Sequence, residues 1–159
     1  MSGRELSHIP IDLRKRLTFL TTQYLTGTDK QPEYKYLQAS DVRRQVQQAP
    51  SYEQPVYPKK YWNKPPLPLQ AQPPYKEFPI VPSPRNGSAS RNYVHPDPPG
   101  PVRAFYNDGD RSKFDVGFHD EKEPPRGPRE GRPYMDSPFS LAPYLPAPTY
   151  TDTSTIHRP

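Results

Sequence analysis

Cysteine is absent from the chain. Its absence excludes a disulfide scaffold and every thiolate metal site, and it suits a reducing compartment. No apolar run approaches the roughly 20 residues of a membrane-spanning helix, so no membrane partner is expected. The first 25 residues lack the continuous apolar stretch of a secretory signal; they are basic and amphipathic like a mitochondrial presequence, but Glu5 and Asp12 count against that. Aliphatic side chains are also scarce. Valine, leucine, isoleucine and phenylalanine make up about 17% of the residues, below the roughly 20% expected of a chain that builds its own core. Ordering a residue costs about 1–2 kcal/mol of backbone entropy, and burial returns roughly 25 cal/mol per Å² of apolar surface. That shortfall predicts a chain with no independent globular core, ordered where a partner supplies the second wall.

Catalytic signatures are missing as well. His8, His95, His119 and His157 sit in polar or proline-rich settings with no nucleophile paired locally. No P-loop, dinucleotide fingerprint or His-Glu-x-x-His motif occurs. Asp108, Asp110 and Asp115 crowd a glycine turn, but a calcium loop counted from Asp108 needs glycine and glutamate where Lys113 and His119 stand. The turn reads as a solvated acidic one. No enzyme activity, cofactor, metal or small-molecule substrate is expected.

What the chain has in plenty is proline and aromatics: 26 prolines, 12 tyrosines, 6 phenylalanines and one tryptophan. Disordered segments are normally poor in aromatics. Proline keeps a backbone extended, while rings give large contact area at low side-chain entropy. The 22 basic and 17 acidic residues leave a net charge of +5. The basic runs are short and spread out: Arg14-Lys15-Arg16, Arg43-Arg44 and Lys59-Lys60. A nucleic-acid binder concentrates its charge in a patch, so an acidic protein surface is the better partner and no nucleic acid is expected.

Along the chain, five segments are read. Residues 1–27 form an N-terminal amphipathic docking helix: Ile9, Leu13, Leu17, Leu20 and Tyr24 recur on one helical face, and Gly27 is the C-terminal stop. Residues 28–50 are a linker with a second short helix from Ser40 to Gln48, capped by Ser40 or Asp41, with Val42 and Val46 on one face and Pro50 ending it. Residues 51–82 are an anchor segment in which Tyr52, Tyr57, Tyr61, Trp62, Tyr75 and Phe78 alternate with prolines and lysines. Residues 83–132 are polar and extended, with turns at Asn86-Gly87 and Asp108-Gly109. Within them Phe105 and Tyr106, then Phe114, Val116 and Phe118, suggest a short hairpin between Arg103 and Phe118. Residues 133–159 are a Pro-Tyr tail carrying Tyr134, Tyr144 and Tyr150. The fold expected is therefore mostly irregular and extended, polyproline II and turns, with one or two helices. Proline one or two positions before tyrosine recurs irregularly, at Tyr34, Tyr52, Tyr57, Tyr75, Tyr134, Tyr144 and Tyr150, as a string of anchors. The partner-binding residues expected are Leu13, Leu17, Leu20, Tyr24, Tyr52, Tyr57, Tyr61, Trp62, Tyr75, Phe78, Tyr134, Tyr144 and Tyr150. For the densest anchor stretch, Tyr52 to Phe78, the rival is a locally collapsed, disordered cluster.

Short ligand motifs also occur. Pro55–Lys60 and Pro98–Arg103 fit a P-x-x-P-x-basic ligand of SH3 domains, and Pro65-Pro66-Leu67-Pro68 resembles a WW ligand. Among so many prolines such matches arise by chance. Ser83-Pro84 and Ser137-Pro138 read as proline-directed phosphorylation sites with the same weakness.

The helix Ile9–Leu25, the string Tyr52–Trp62 and the tail Pro133–Tyr150 resemble, in style, the small proline- and tyrosine-rich microtubule inner proteins of ciliary and sperm-flagellar doublets. The resemblance implies an extended ribbon on the luminal wall of the doublet, ordered by tubulin and neighbouring axonemal inner proteins, stabilising the lattice for motility. It implies no catalytic residue. The alternatives are a proline-rich adaptor presenting SH3 or WW ligands, and a peripheral subunit of a mitochondrial complex or ribosome.

Overall fold

The strongest two-residue alternation in the chain lies on either side of Asp108-Gly109, and in the computed structural model it forms the longest hairpin. The structure describes residues 22–51, 55–84, 90–125, 131 and 133–146. Among them the elements run β1 (Gln23–Leu25), β2 (Tyr36–Gln38), α1 (Ala39–Gln48), β3 (Lys59–Tyr61), β4 (Tyr75–Pro79), β5 (Val102–Asn107), β6 (Asp110–His119), β7 (Phe139–Leu141) and β8 (Tyr144–Leu145), with short 3₁₀ turns at Pro32–Tyr34 and Tyr134–Asp136. They form a three-stranded sheet in the order β2-β1-β8 and a five-stranded meander β3-β4-β5-β6-β7, and every pairing is antiparallel.

In the β5–β6 hairpin, Asn107 Oδ1 accepts a hydrogen bond from the Gly109 amide at 2.7 Å and tightens the turn. Val102, Ala104 and Tyr106 of β5 lie opposite Phe118, Val116 and Phe114 of β6, so all six share one face. That face is the core. Phe78, Ile80, Tyr57 and Tyr93 join it from one side, and Val42 and Val46 of α1, Ala49 just after it, and Tyr24 and Leu37 of the small sheet cover it.

Polar side chains fasten the cover. Gln45 is fully buried; its amide accepts from the Val81 N–H at 2.8 Å and donates to the Val81 carbonyl at 2.9 Å, as a strand neighbour would. Arg111 donates to the Val46 and Ala49 carbonyls at 3.0 and 2.6 Å, which puts a cation on the negative end of α1. Asp108 holds that arginine at 2.8 Å and Lys76 at 2.5 Å. Burial alone would raise the Asp108 pKa, but the hydrogen bonds from Lys76 and Arg111 outweigh it and hold the carboxyl below its ordinary value.

The expectation of an irregular, coreless chain is overturned by these two sheets and their packed interior. The count of aliphatic residues missed where the apolar area comes from. Tyrosine supplies much of it: Tyr24, Tyr57, Tyr61, Tyr93 and Tyr106 are all buried. An aromatic ring buries about 150–250 Å², worth roughly 4–6 kcal/mol. Proline restricts the unfolded chain, so less burial is needed to order it. The prolines also fall where strands tolerate them: Pro58 and Pro101 precede strands, and Pro79 ends one.

The docking helix is corrected at its C-terminal end, because Gln23–Leu25 is a strand paired with both β2 and β8. Gly27 is no helix stop: a Cβ there would lie 2.8 Å from Cε2 of Phe118, so the glycine permits a close approach. Leu13, Leu17 and Leu20 lie outside the described residues, as do Tyr52, Asn86-Gly87 and Tyr150. The second helix and the hairpin are present. The α1 cap differs from expectation: Gln38 precedes the helix, and Ser40 and Asp41 sit inside its first turn.

Candidate functional site: an aromatic trough beside an edge strand

The other face of the five-stranded sheet carries a different set of side chains. Alternation places Lys59 and Tyr61, Tyr75 and Glu77, Arg103 and Phe105, Gly117 and His119, and Phe139 there. In a flat sheet β3 and β7, four positions apart, would be separated by about 19 Å. The rings of Tyr61 and Phe139 are nevertheless 6.0 Å apart, so the sheet curls and this face is concave. Phe105 lies between them, stacked on Tyr61 at 4.2 Å and edge-on to Phe139 at 5.2 Å. It fits because Gly117 is its neighbour; a Cβ there would come within 2.5 Å of the ring.

Two irregular segments complete the concavity. The proline-rich stretch 62–74 crosses the sheet as a strap. The Asp115 carboxylate accepts hydrogen bonds from the Gln70 and Ala71 amides at 3.0 and 3.1 Å, Gln70 Nε2 donates to the Phe114 carbonyl at 2.9 Å, and Asn107 Nδ2 donates to the Gln72 carbonyl at 2.9 Å. On the β7 side, residues 135–138 form the second wall. Between them remains a cleft of about 970 Å³, at the upper end of the usual range for ligand pockets.

The floor is charged as well as aromatic. Burial raises the Glu77 pKa, opposed by the positive charges of Lys59 and Arg103. Lys59 Nζ is 3.4 Å from its carboxylate. Burial also pushes Tyr61 up to about 12, with Glu77 adding to the effect. Arg103 is 3% exposed; one terminal nitrogen donates to the Pro99, Gly100 and Val102 carbonyls and the other to the Tyr57 hydroxyl at 3.1 Å, while Nε has no partner. His119 Nδ1 meets the Ser137 carbonyl at 2.8 Å. The Ser137 hydroxyl is buried and has no hydrogen-bond partner among the described residues.

At the lip of the cleft the character changes. Trp62, one residue beyond β3, is 67% exposed, and the Lys60 ammonium stands 3.9 Å from its ring centroid. Lys64 is exposed beside it. Of the anchors expected from sequence, Tyr57, Tyr61 and Phe78 are buried in this chain's own interior, and Tyr24 packs on Tyr144 and Phe114. Tyr75 is half-buried, Tyr134 lies in a 3₁₀ turn, and Trp62 and Tyr144 are exposed. The structure thus gathers Tyr57, Tyr61 and Trp62 at one site and sends Tyr24 and Tyr144 to the small sheet.

Glu77, Arg103 and His119 carry no local site signal in the sequence. Prolines at 73, 74 and 79 hide the β4 alternation, and nothing local shows that β3, β5 and β7 meet. The SH3-type motifs are part of the fold: Tyr57 and Pro58 of the first are buried, as are Gly100 to Arg103 of the second. Pro65, Pro66 and Pro68 are exposed on the strap. Among the described residues no cluster of three metal-ligating side chains occurs, and no helix is long and apolar enough to cross a membrane.

No family model matches this chain, and no curated protein matches it.

Proposed function

We propose that the chain is a non-catalytic structural subunit, a small β-domain that docks on the luminal wall of axonemal doublet microtubules among tubulin and neighbouring inner proteins. The observation that supports docking is the lip of the trough. Among the described residues most large rings are buried, yet the single tryptophan stands exposed beside Lys60 and Lys64. An exposed tryptophan ringed by cations is the composition of an interface anchor for an acidic surface. The location comes from the resemblance carried by the proline- and tyrosine-rich sequence, and the mode of attachment is a folded body rather than a ribbon. Burial of Tyr57, Pro58 and Gly100 to Arg103 within the two P-x-x-P motifs argues against an adaptor that presents SH3 ligands, because a ligand must be free to enter an SH3 groove.

The test is the distribution of the tagged full chain in a ciliated cell. An axonemal signal that survives detergent and moderate salt is expected, and Trp62→Ala combined with Lys60→Glu should release it. A diffuse cytosolic signal for the unaltered chain overturns the reading.

A further inference from the structure

β3 is an edge strand of the five-stranded sheet. Among the described residues the backbone of Lys59, Lys60 and Tyr61 makes no hydrogen bond to any segment other than β4. An open edge is a template for another strand. The chemistry of this one selects what can add. Along β3, Lys60 points with Trp62 to one side, and Lys59 points with Tyr61 to the trough. The Lys59 charge is taken up by Glu77. Lys60 and Lys64 have no carboxylate partner among the described residues. A second copy of β3 would bring lysine against lysine, which disfavours self-pairing. An acidic strand meets the opposite situation. Glu123 and Asp136 lie toward the β7 side of the cleft, so their repulsion falls on the far wall.

We propose that the outer edge of β3 receives an extended acidic segment of a partner protein as an added antiparallel or parallel strand, with Trp62 closing against it. This deepens the docking reading above and rests on it for the partner's existence. The segment alternates: acidic side chains face Lys60 and Lys64, and apolar ones enter the trough beside Tyr61. Backbone hydrogen bonds hold the strand, and the lysines choose its sign. The rival role for Lys59 and Lys60 is to guard the edge against pairing of any kind.

The single tryptophan provides the signal. The purified full chain is titrated with a nine-residue blocked peptide alternating glutamate and valine, while Trp62 emission is followed. A saturable blue shift is expected, weakened at least tenfold in the Lys60→Glu, Lys64→Glu double variant. The same peptide N-methylated at alternate amides keeps its charge but cannot form the ladder, and should not bind. A peptide with lysine in place of glutamate should not bind either. Equal binding of the N-methylated peptide overturns strand addition, and equal binding of the lysine peptide overturns charge selection. No shift with any peptide, together with self-association of a Lys60→Thr variant, assigns the lysines to guarding the edge and overturns the proposal. A chain that binds the acidic peptide yet stays diffuse in ciliated cells overturns the axonemal reading alone. An axonemal chain that binds no acidic strand overturns strand addition alone.

Discussion

The two faces of the five-stranded sheet are built from the same strands but to different ends. On the helix side, Val102, Ala104, Tyr106, Phe78, Val116 and Phe118 are buried among other apolar groups. On the concave side, Tyr61, Phe105 and Phe139 share the surface with Glu77, Arg103 and His119, covered by a strap and a loop in place of a helix. The first face fulfils the requirement for a core. The second carries buried charge, an orphaned guanidinium nitrogen and an open cleft, none of which a fold needs for stability. The difference marks the concave side as the candidate site.

If that contrast is right, the largest loss comes from the helix side. The chain should unfold cooperatively, and Phe78→Ala, at a site 1% exposed, should lower its stability by about 3–5 kcal/mol in denaturant unfolding. A flat, uncooperative melt of the unaltered chain would erase the distinction between the faces. The strap comes next. Asp115→Ala removes the acceptor of the Gln70 and Ala71 amides and should cost about 1.5–3 kcal/mol, with faster hydrogen exchange at those two amides than in β5. Unchanged exchange there would mean the strap is held by something else.

Glu77 sharpens the comparison through pH. Its pKa is raised in the fold, chiefly by burial, so the folded chain binds the proton more tightly than the unfolded chain does. Stability from this group is present when it is protonated and declines as pH rises from the ordinary carboxylate range through the raised folded value. Glu77→Gln removes the titration, so the melting temperature of the variant relative to the parent should climb across that window. A constant offset would show that Glu77 is no buried charge. The smallest effect belongs to the lip: Trp62→Ala should change stability by no more than about 0.5 kcal/mol, because the ring is mostly in solvent. A larger loss would make Trp62 part of the core.

Legibility in the sequence follows the range of the contacts. The β5–β6 hairpin is visible because alternation and an Asp-Gly turn are local signals, and α1 because Val42 and Val46 repeat at helical spacing. β1 was hidden inside a helical periodicity that runs up to Tyr24; pairing with β2 and β8 overrides it. β3 and β4 are short and flanked by prolines, so neither offers enough alternation to read. At the site, Tyr57, Tyr61 and Trp62 were legible as aromatic anchors, but Glu77, Arg103 and His119 come from strands brought together only by the curl of the sheet.

By itself the sequence determined the materials: no thiol chemistry, few aliphatics, many rings, prolines that keep helices and strands short, and a modest positive charge. Tertiary structure alone decided which rings are inside and which face outward. Tyr57, Tyr61 and Trp62 look alike along the chain as aromatic residues among prolines and lysines, yet two are buried and one is exposed. The reason is physical. Burial of a side chain on a short edge strand depends on what the sheet's neighbouring strands and straps place across from it, and those partners lie from about ten to eighty residues away.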